Sequence, residues 1–128
     1  SIRAGRDNVD RYKQIISALS QYGTVLTEHI ADSNLTMAGE TYSEEYIYNR
    51  DMEWLSSADV VVADVSIPSL GVGFEIAKAI DLKKKLLCLY DKNADRKLSA
   101  MIAGAPGIEV FEYNNIDEIR SKIANFFK

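Results

Sequence analysis

Apolar positions recur along this chain with two alternating periods. From Asn8 to Gln21 the residues Val9, Tyr12, Ile15, Ile16 and Leu19 fall on one helical stripe. Asp7 or Asn8 is placed to cap that helix and Gly23 to end it. Thr24-Val-Leu-Thr27 reads as a short strand, and the polar stretch Ala31 to Thr41, with Gly39, as a loop. Ser43 to Ser57 is a second helix. Val60 to Val65 is a nearly continuous β-branched run, the pattern of a parallel strand covered on both faces. Pro68 to Gly73 turns the chain into a third helix that ends near Lys83, and Lys85 to Tyr90 is the next strand. Leu98 to Ala103 predicts a short helix, Ile108 to Tyr113 a last strand, and Ile116 to Phe127 a last helix.

Helix and strand alternating over short connections predict a single α/β domain: a flavodoxin-like, doubly wound parallel sheet with helices on both faces. The 128 residues suffice for one core. Ligands of such sheets bind beyond the carboxyl ends of the strands. These folds usually open on a strand, whereas this sequence opens at Ser1 and runs into a helix. An apolar strand upstream of Ser1 is therefore expected.

Composition narrows the chemistry. The chain is 47% hydrophobic and 27% charged, with a net charge of -4. That balance speaks against a broad surface for a nucleic acid polymer but leaves room for one phosphate, which a helix N-terminus and one Arg can hold. Cys88 is the only cysteine, so no disulfide can form within the chain; it lies in an apolar strand and reads as a core residue. No membrane-spanning run or signal-peptide pattern is seen, and a cytoplasmic or nuclear location is expected.

Two carboxylates stand out. Asp51 has Ile47, Tyr48, Trp54 and Leu55 three and four residues away, so it interrupts an apolar stripe. A carboxylate there needs a partner or a function. An active-site role and a structural cap both fit. Glu75 comes early in the third helix, where an acid ordinarily complements the helix dipole. Its place just after Asp64 to Gly73, which leaves the carboxyl end of the best strand, makes it a candidate. Two carboxylates at one crevice suit glycosidic cleavage, one at the sugar carbon and one at the leaving group.

Ser69-Leu-Gly-Val-Gly73 leaves backbone N–H groups open to an anion. It lacks the Lys and the spacing of a P-loop, which disfavours an NTPase. Ser1-Ile-Arg-Ala-Gly5 precedes the first helix in the same way and offers Arg3 and Gly5 to an anion; a terminal segment without function has the same composition. His29, the only histidine, has no Cys or second His nearby and makes a poor metal ligand; a lone base or a loop residue fits equally. Lys83-Lys-Lys85 suits the end of a helix, and Ser99 the start of a short one.

Five segments together carry a resemblance: Ser1-Ile-Arg-Ala-Gly-Arg6, Tyr22-Gly-Thr-Val-Leu-Thr-Glu-His29, Asp51-Met-Glu-Trp-Leu55, Ala58-Asp-Val-Val-Val-Ala63 and Pro68-Ser-Leu-Gly-Val-Gly-Phe-Glu75. The chain resembles the 2′-deoxynucleoside 5′-phosphate N-hydrolases, the Rcl-like proteins of the nucleoside 2-deoxyribosyltransferase superfamily. The resemblance implies that Glu75 is a nucleophile forming a covalent deoxyribosyl intermediate, and that Asp51 contacts the sugar and assists the leaving base. It implies that Ser1, Arg3, Ser69 and Gly71 hold the 5′-phosphate, with Ile2 and Gly5 in the same substrate-binding segment. It implies a homodimer in which Ser99 reaches the neighbouring subunit's phosphate, and chemistry with no metal and no organic cofactor.

The family's catalytic tyrosine lies in a strand ahead of the Ser-Ile-Arg motif, and no such residue stands in this sequence. Ala4 stands where a Gly is usual, and the segment from Ala31 to Glu44 resembles the family least, which points to it as the setter of base preference. The expected substrate is a 2′-deoxynucleoside 5′-monophosphate. Alternatives are a deoxyribosyltransferase, a ribonucleotide (CMP-type) N-glycosidase, or a nucleotide-binding module without catalysis.

Overall fold

A computed structural model of the chain describes residues 7–27 and 42–128. Helix α1 (Asp7–Leu19) is followed by α2 (Glu44–Ser57), strand β1 (Val60–Asp64), α3 (Leu70–Asp81), β2 (Lys85–Asp91), the short α4 (Ala100–Ala103), β3 (Glu109–Tyr113) and α5 (Ile116–Phe126). The three strands are parallel in the order β1-β2-β3. Val60 pairs with Lys85 and Asp64 with Leu89; Leu87 pairs with Glu109 and Asp91 with Tyr113.

The doubly wound expectation holds, and the reason lies in the alternation along β2. Leu87 and Leu89 point to one face, where Ile15 and Ala18 of α1 and Ile119, Ile123 and Phe126 of α5 cover them. Leu86 and Cys88 point to the other, against Leu55 of α2 and Ile76 and Ala79 of α3. Successive strand residues face opposite ways, so a run apolar at every position is buried only between two helical layers. Cys88 is fully buried, and burial pushes its thiol up to about 11, so it serves the core as expected.

Local chemistry sets the helix ends. Ser43, Ser69, Ser99 and Asn115 each accept a hydrogen bond from a backbone N–H two or three residues on, the N-cap geometry. Lys83, at φ 58°, breaks the chain out of α3 before β2.

Three expectations need correction. Thr24–Thr27 is not a strand: no described strand pairs with it, and four residues beside Gly23 do not hold an extended form alone. Asp7 and Asn8 lie inside α1 and not ahead of it. Helix α3 starts at Leu70, so both glycines of the Ser69–Gly73 segment sit in its first turn, because Ser69 caps there.

Candidate active site

The carboxyl ends of the three strands deliver Asp64, Asp91 and Tyr113 to one edge of the sheet. A hydrogen-bonded cluster joins them. Arg11 of α1 donates from Nη2 to Asp91 Oδ2 at 2.9 Å, and its Nη1 lies 3.9 Å from Asp64 Oδ2. The Tyr113 hydroxyl donates to Asp64 Oδ2 at 3.1 Å. The Ser66 backbone N–H donates to Asp64 Oδ1, and the buried Ser66 hydroxyl accepts from the Asp91 N–H at 2.8 Å. Asp64 has a side chain only 7% exposed, so these donors supply what water would otherwise give. Burial, then the negative charge of Asp64, pushes the Tyr113 phenol above its ordinary range.

Tyr12, next to Arg11, links this cluster to the candidate carboxylates. Burial raises its phenol to about 12; Asp64 adds to the rise, Arg11 opposes it and Glu75 adds a smaller push. Glu75 lies in the second turn of α3, partly buried, and not in the first turn where the helix dipole would account for an acid. Burial raises its carboxyl above the ordinary range, the charge of Asp51 raises it further, and Arg50 is among the positive charges that pull it back. The two carboxylates singled out in the sequence thus act on one another. Tyr48 and Phe74, which meet edge-on with ring centres 6.1 Å apart, mark where α2 and α3 adjoin beside them.

Asp51 is held locally. Arg50 Nε and Nη2 donate to its Oδ1 at 3.0 and 2.9 Å. The Arg50 guanidinium in turn lies 4.5 Å from the Trp54 ring centre. The Asp51 side chain is 21% exposed, so the apolar stripe buries it only in part.

Ser69 caps α3, its hydroxyl accepting from the Val72 N–H at 3.3 Å. Among the described residues, a side chain added at Gly71 would meet only the Ser69 hydroxyl, at 4.0 Å, and one at Gly73 would meet nothing within that distance. The described residues therefore do not require glycine at either position, and Ser69 with the backbone N–H groups that follow it forms the N-terminus of α3, the kind of site that favours an anion. Ser99 is exposed and caps α4, accepting from the Met101 N–H at 3.2 Å. Ser1, Ile2, Arg3, Gly5 and His29 fall outside the described residues.

Sequence reading missed Arg50, Tyr12 and the Arg11–Asp64–Ser66–Asp91–Tyr113 cluster. The signal for the cluster was available, since three polar residues end three successive strands. Among the described residues no group of three or more His, Cys, Asp or Glu side chains could hold a metal ion. No described helix is long and apolar enough to cross a membrane. A groove of about 450 Å³ is lined by Leu19, Val25, Trp54 and Phe127 together with Val60, Val61 and Val62 of β1. Asp51 reaches it but Glu75, Ser69 and Ser99 do not, so it is separate from the cluster around Glu75.

Fold and site define a parallel α/β protein with paired carboxylates near the carboxyl edge of its sheet. The family model for nucleoside 2-deoxyribosyltransferases matches residues 3–118. The chain belongs to that family. It is 44% identical to a 5-hydroxymethyl-dUMP N-hydrolase of Tetraodon nigroviridis, over 99% of this chain and 92% of the relative. It is 42% identical to the Homo sapiens protein of the same name, over all of this chain and 76% of the relative. The fold also matches a CMP N-glycosidase of Clostridium botulinum with a TM-score of 0.67, over 94% of this chain and 95% of the other, at 18% identity.

Proposed function

We propose that this protein hydrolyses the N-glycosidic bond of 2′-deoxynucleoside 5′-monophosphates, releasing the free base and 2-deoxyribose 5-phosphate. The carrying observation is the pairing of Glu75 with Asp51: a carboxyl raised by burial and by a second carboxylate. In the reaction, ionised Glu75 attacks C1′ of the sugar while the bond from C1′ to the base nitrogen breaks. The bonding pair leaves with the base, which takes a proton from solvent water. Water then adds to C1′, Glu75 departs as carboxylate, and the water proton goes to solvent or to Asp51. Asp51, with one oxygen held by Arg50, meets the sugar and the leaving base. The phosphate is held at the start of α3, by the Ser69 cap and the backbone near Gly71, with Ser1, Ile2, Arg3 and Gly5 taking part as the family resemblance implies. The names of the relatives put 5-hydroxymethyl-dUMP first among substrates to be tried.

The protein acts as a homodimer in this proposal. Leu70, Met101 and Phe74 are 97%, 80% and 56% exposed, an apolar set that a two-fold partner would cover. Ser99, two residues from Met101, then faces the partner's phosphate. Transfer of the sugar to a second base is the other reading, favoured by the family description.

The test incubates the protein with deoxy- and ribonucleoside monophosphates and with the matching deoxynucleosides, with and without a second free base. Hydrolysis predicts free base from deoxynucleoside monophosphates alone, at rates at least about 100-fold above the deoxynucleosides, since binding of the remote phosphate positions the sugar. Equal rates with and without phosphate, or exchanged nucleotide as main product, would overturn the proposal.

A further inference from the structure

A nucleophilic Glu75 has to be anionic although the charge of Asp51 raises its carboxyl. Two carboxylates at one site resist this, because the first charge opposes the second. Arg50 is the described cation that acts on both. It donates twice to Asp51, and its charge lowers the Glu75 carboxyl that burial and Asp51 raise. Tyr12 of α1 also faces Glu75, with Arg11 and Asp64 beyond it, and it carries no charge at neutral pH.

The geometry of the contact is specific. Neighbouring residues on a helix point about 100° apart and do not face each other. The ring of Trp54, one turn further along α2, lies 4.5 Å from the same Arg50 guanidinium that bonds Asp51. The Arg50 side chain is only 12% exposed, so it is a fixed part of the site. Both donated bonds go to the same oxygen, Oδ1, at 3.0 and 2.9 Å. An arginine paired side-on with a carboxylate would engage both oxygens. Here no described residue donates to Oδ2, which stays available for a substrate.

We propose that Arg50 is a positioning residue of this site, holding the Asp51 carboxylate through Oδ1 with Oδ2 presented and offsetting the repulsion between Asp51 and Glu75. The proposal rests on the reading of these two carboxylates as the reacting pair. Its two parts separate by substitution. Arg50→Gln removes the charge, while Arg50→Lys keeps the charge but not the doubly donated, ring-stacked contact.

The experiment follows the side-chain carboxyl of Glu75 by carbon-13 NMR against pH in the wild type and both variants, with the resonance assigned by its loss in Glu75→Gln. Initial rates on 5-hydroxymethyl-dUMP are measured over the same pH range. Glu75 is expected to titrate above the ordinary glutamate range in the wild type, higher again in Arg50→Gln, and near the wild-type position in Arg50→Lys. In Arg50→Gln the acid limb of the rate profile moves up in pH, so that the activity lost at pH 6 exceeds that lost at pH 8.5 by roughly tenfold. In Arg50→Lys kcat falls at all pH values with KM little changed. Identical Glu75 titration in wild type and Arg50→Gln would overturn the electrostatic part. Full kcat in Arg50→Lys would overturn the positioning part. If Arg50→Gln does not fold, the lysine variant still decides the positioning part, and the wild-type titration at low and high salt decides the electrostatic part: an unmoved Glu75 carboxyl overturns it. If the wild type turns over no nucleotide, the proposed function fails, and the titrations still decide whether Arg50 sets the ionisation of Glu75.

Discussion

At Glu75 the fold works against the ionised form. Its carboxyl is raised by burial and by Asp51, so the folded state favours the protonated acid. As pH rises through the ordinary range of an unfolded glutamate and then through the higher folded range, the stability tied to that proton is lost. Above the folded value the loss is complete. A residue kept at such a cost belongs to function more than to packing. Glu75→Gln is therefore expected to raise the melting temperature by about 2 °C at neutral pH, with the gain shrinking toward pH 4. The same substitution removes the proposed nucleophile and should lower turnover by roughly a thousandfold or more. Thermal scans and rate assays on one preparation check both; a variant less stable at neutral pH, or one with near-normal turnover, contradicts the assignment. The two carboxylates were legible in sequence for different reasons. Asp51 broke an apolar stripe, and Glu75 followed a glycine turn at a strand end. Arg50 was not legible, because a neighbour on a helix does not ordinarily reach its neighbour; here the Arg50 guanidinium stacks on the Trp54 ring while it bonds Asp51.

Among the elements, the joint between α1 and the strand ends positions the site. Arg11 ties α1 to Asp64 and Asp91, the last residues of β1 and β2, and Tyr113 and Ser66 complete the set. Removing the guanidinium leaves two carboxylates, one of them deeply buried, without their cation. Arg11→Met is expected to cost about 1–3 kcal/mol in urea unfolding. It should also displace Tyr12, the next residue, and lower activity in the protein that remains folded. A change within about 0.3 kcal/mol would contradict a structural role for the cluster. The helices and the three strands were legible because their periods differ, 3.6 against 2, and because β1 and β2 are apolar on both faces. Thr24–Thr27 was misread for a physical reason. Its four residues have strand-forming chemistry, yet a strand exists only by pairing, and no described strand pairs with it. The Arg11 cluster was missed because its members are far apart in sequence and meet only once the register aligns the strand ends.

On the scale of the whole molecule, Leu70, Phe74 and Met101 are exposed, and they form the surface proposed for a two-fold partner. Were the dimer to share sites through Ser99, Glu75→Gln mixed with Ser99→Trp would regain activity, since some mixed dimers hold one site with both residues intact. About a quarter of wild-type activity is the ceiling for random exchange when each dimer carries two independent sites. Sedimentation at working concentration and a confirmed exchange of subunits complete that test; a monomer, or exchange with no recovered activity, contradicts the shared site. Covalent attack on the sugar by Glu75 is the central claim, and rapid quenching of wild-type protein mixed with excess 5-hydroxymethyl-dUMP tests it most directly. The quenched sample is read twice, for free base and for the mass of the peptide carrying Glu75. The account predicts free base in every time point and a deoxyribose 5-phosphate ester on Glu75 during turnover, absent from Glu75→Gln. Free base released at the full rate with Glu75 unmodified, or with the glutamine variant still active, would contradict it.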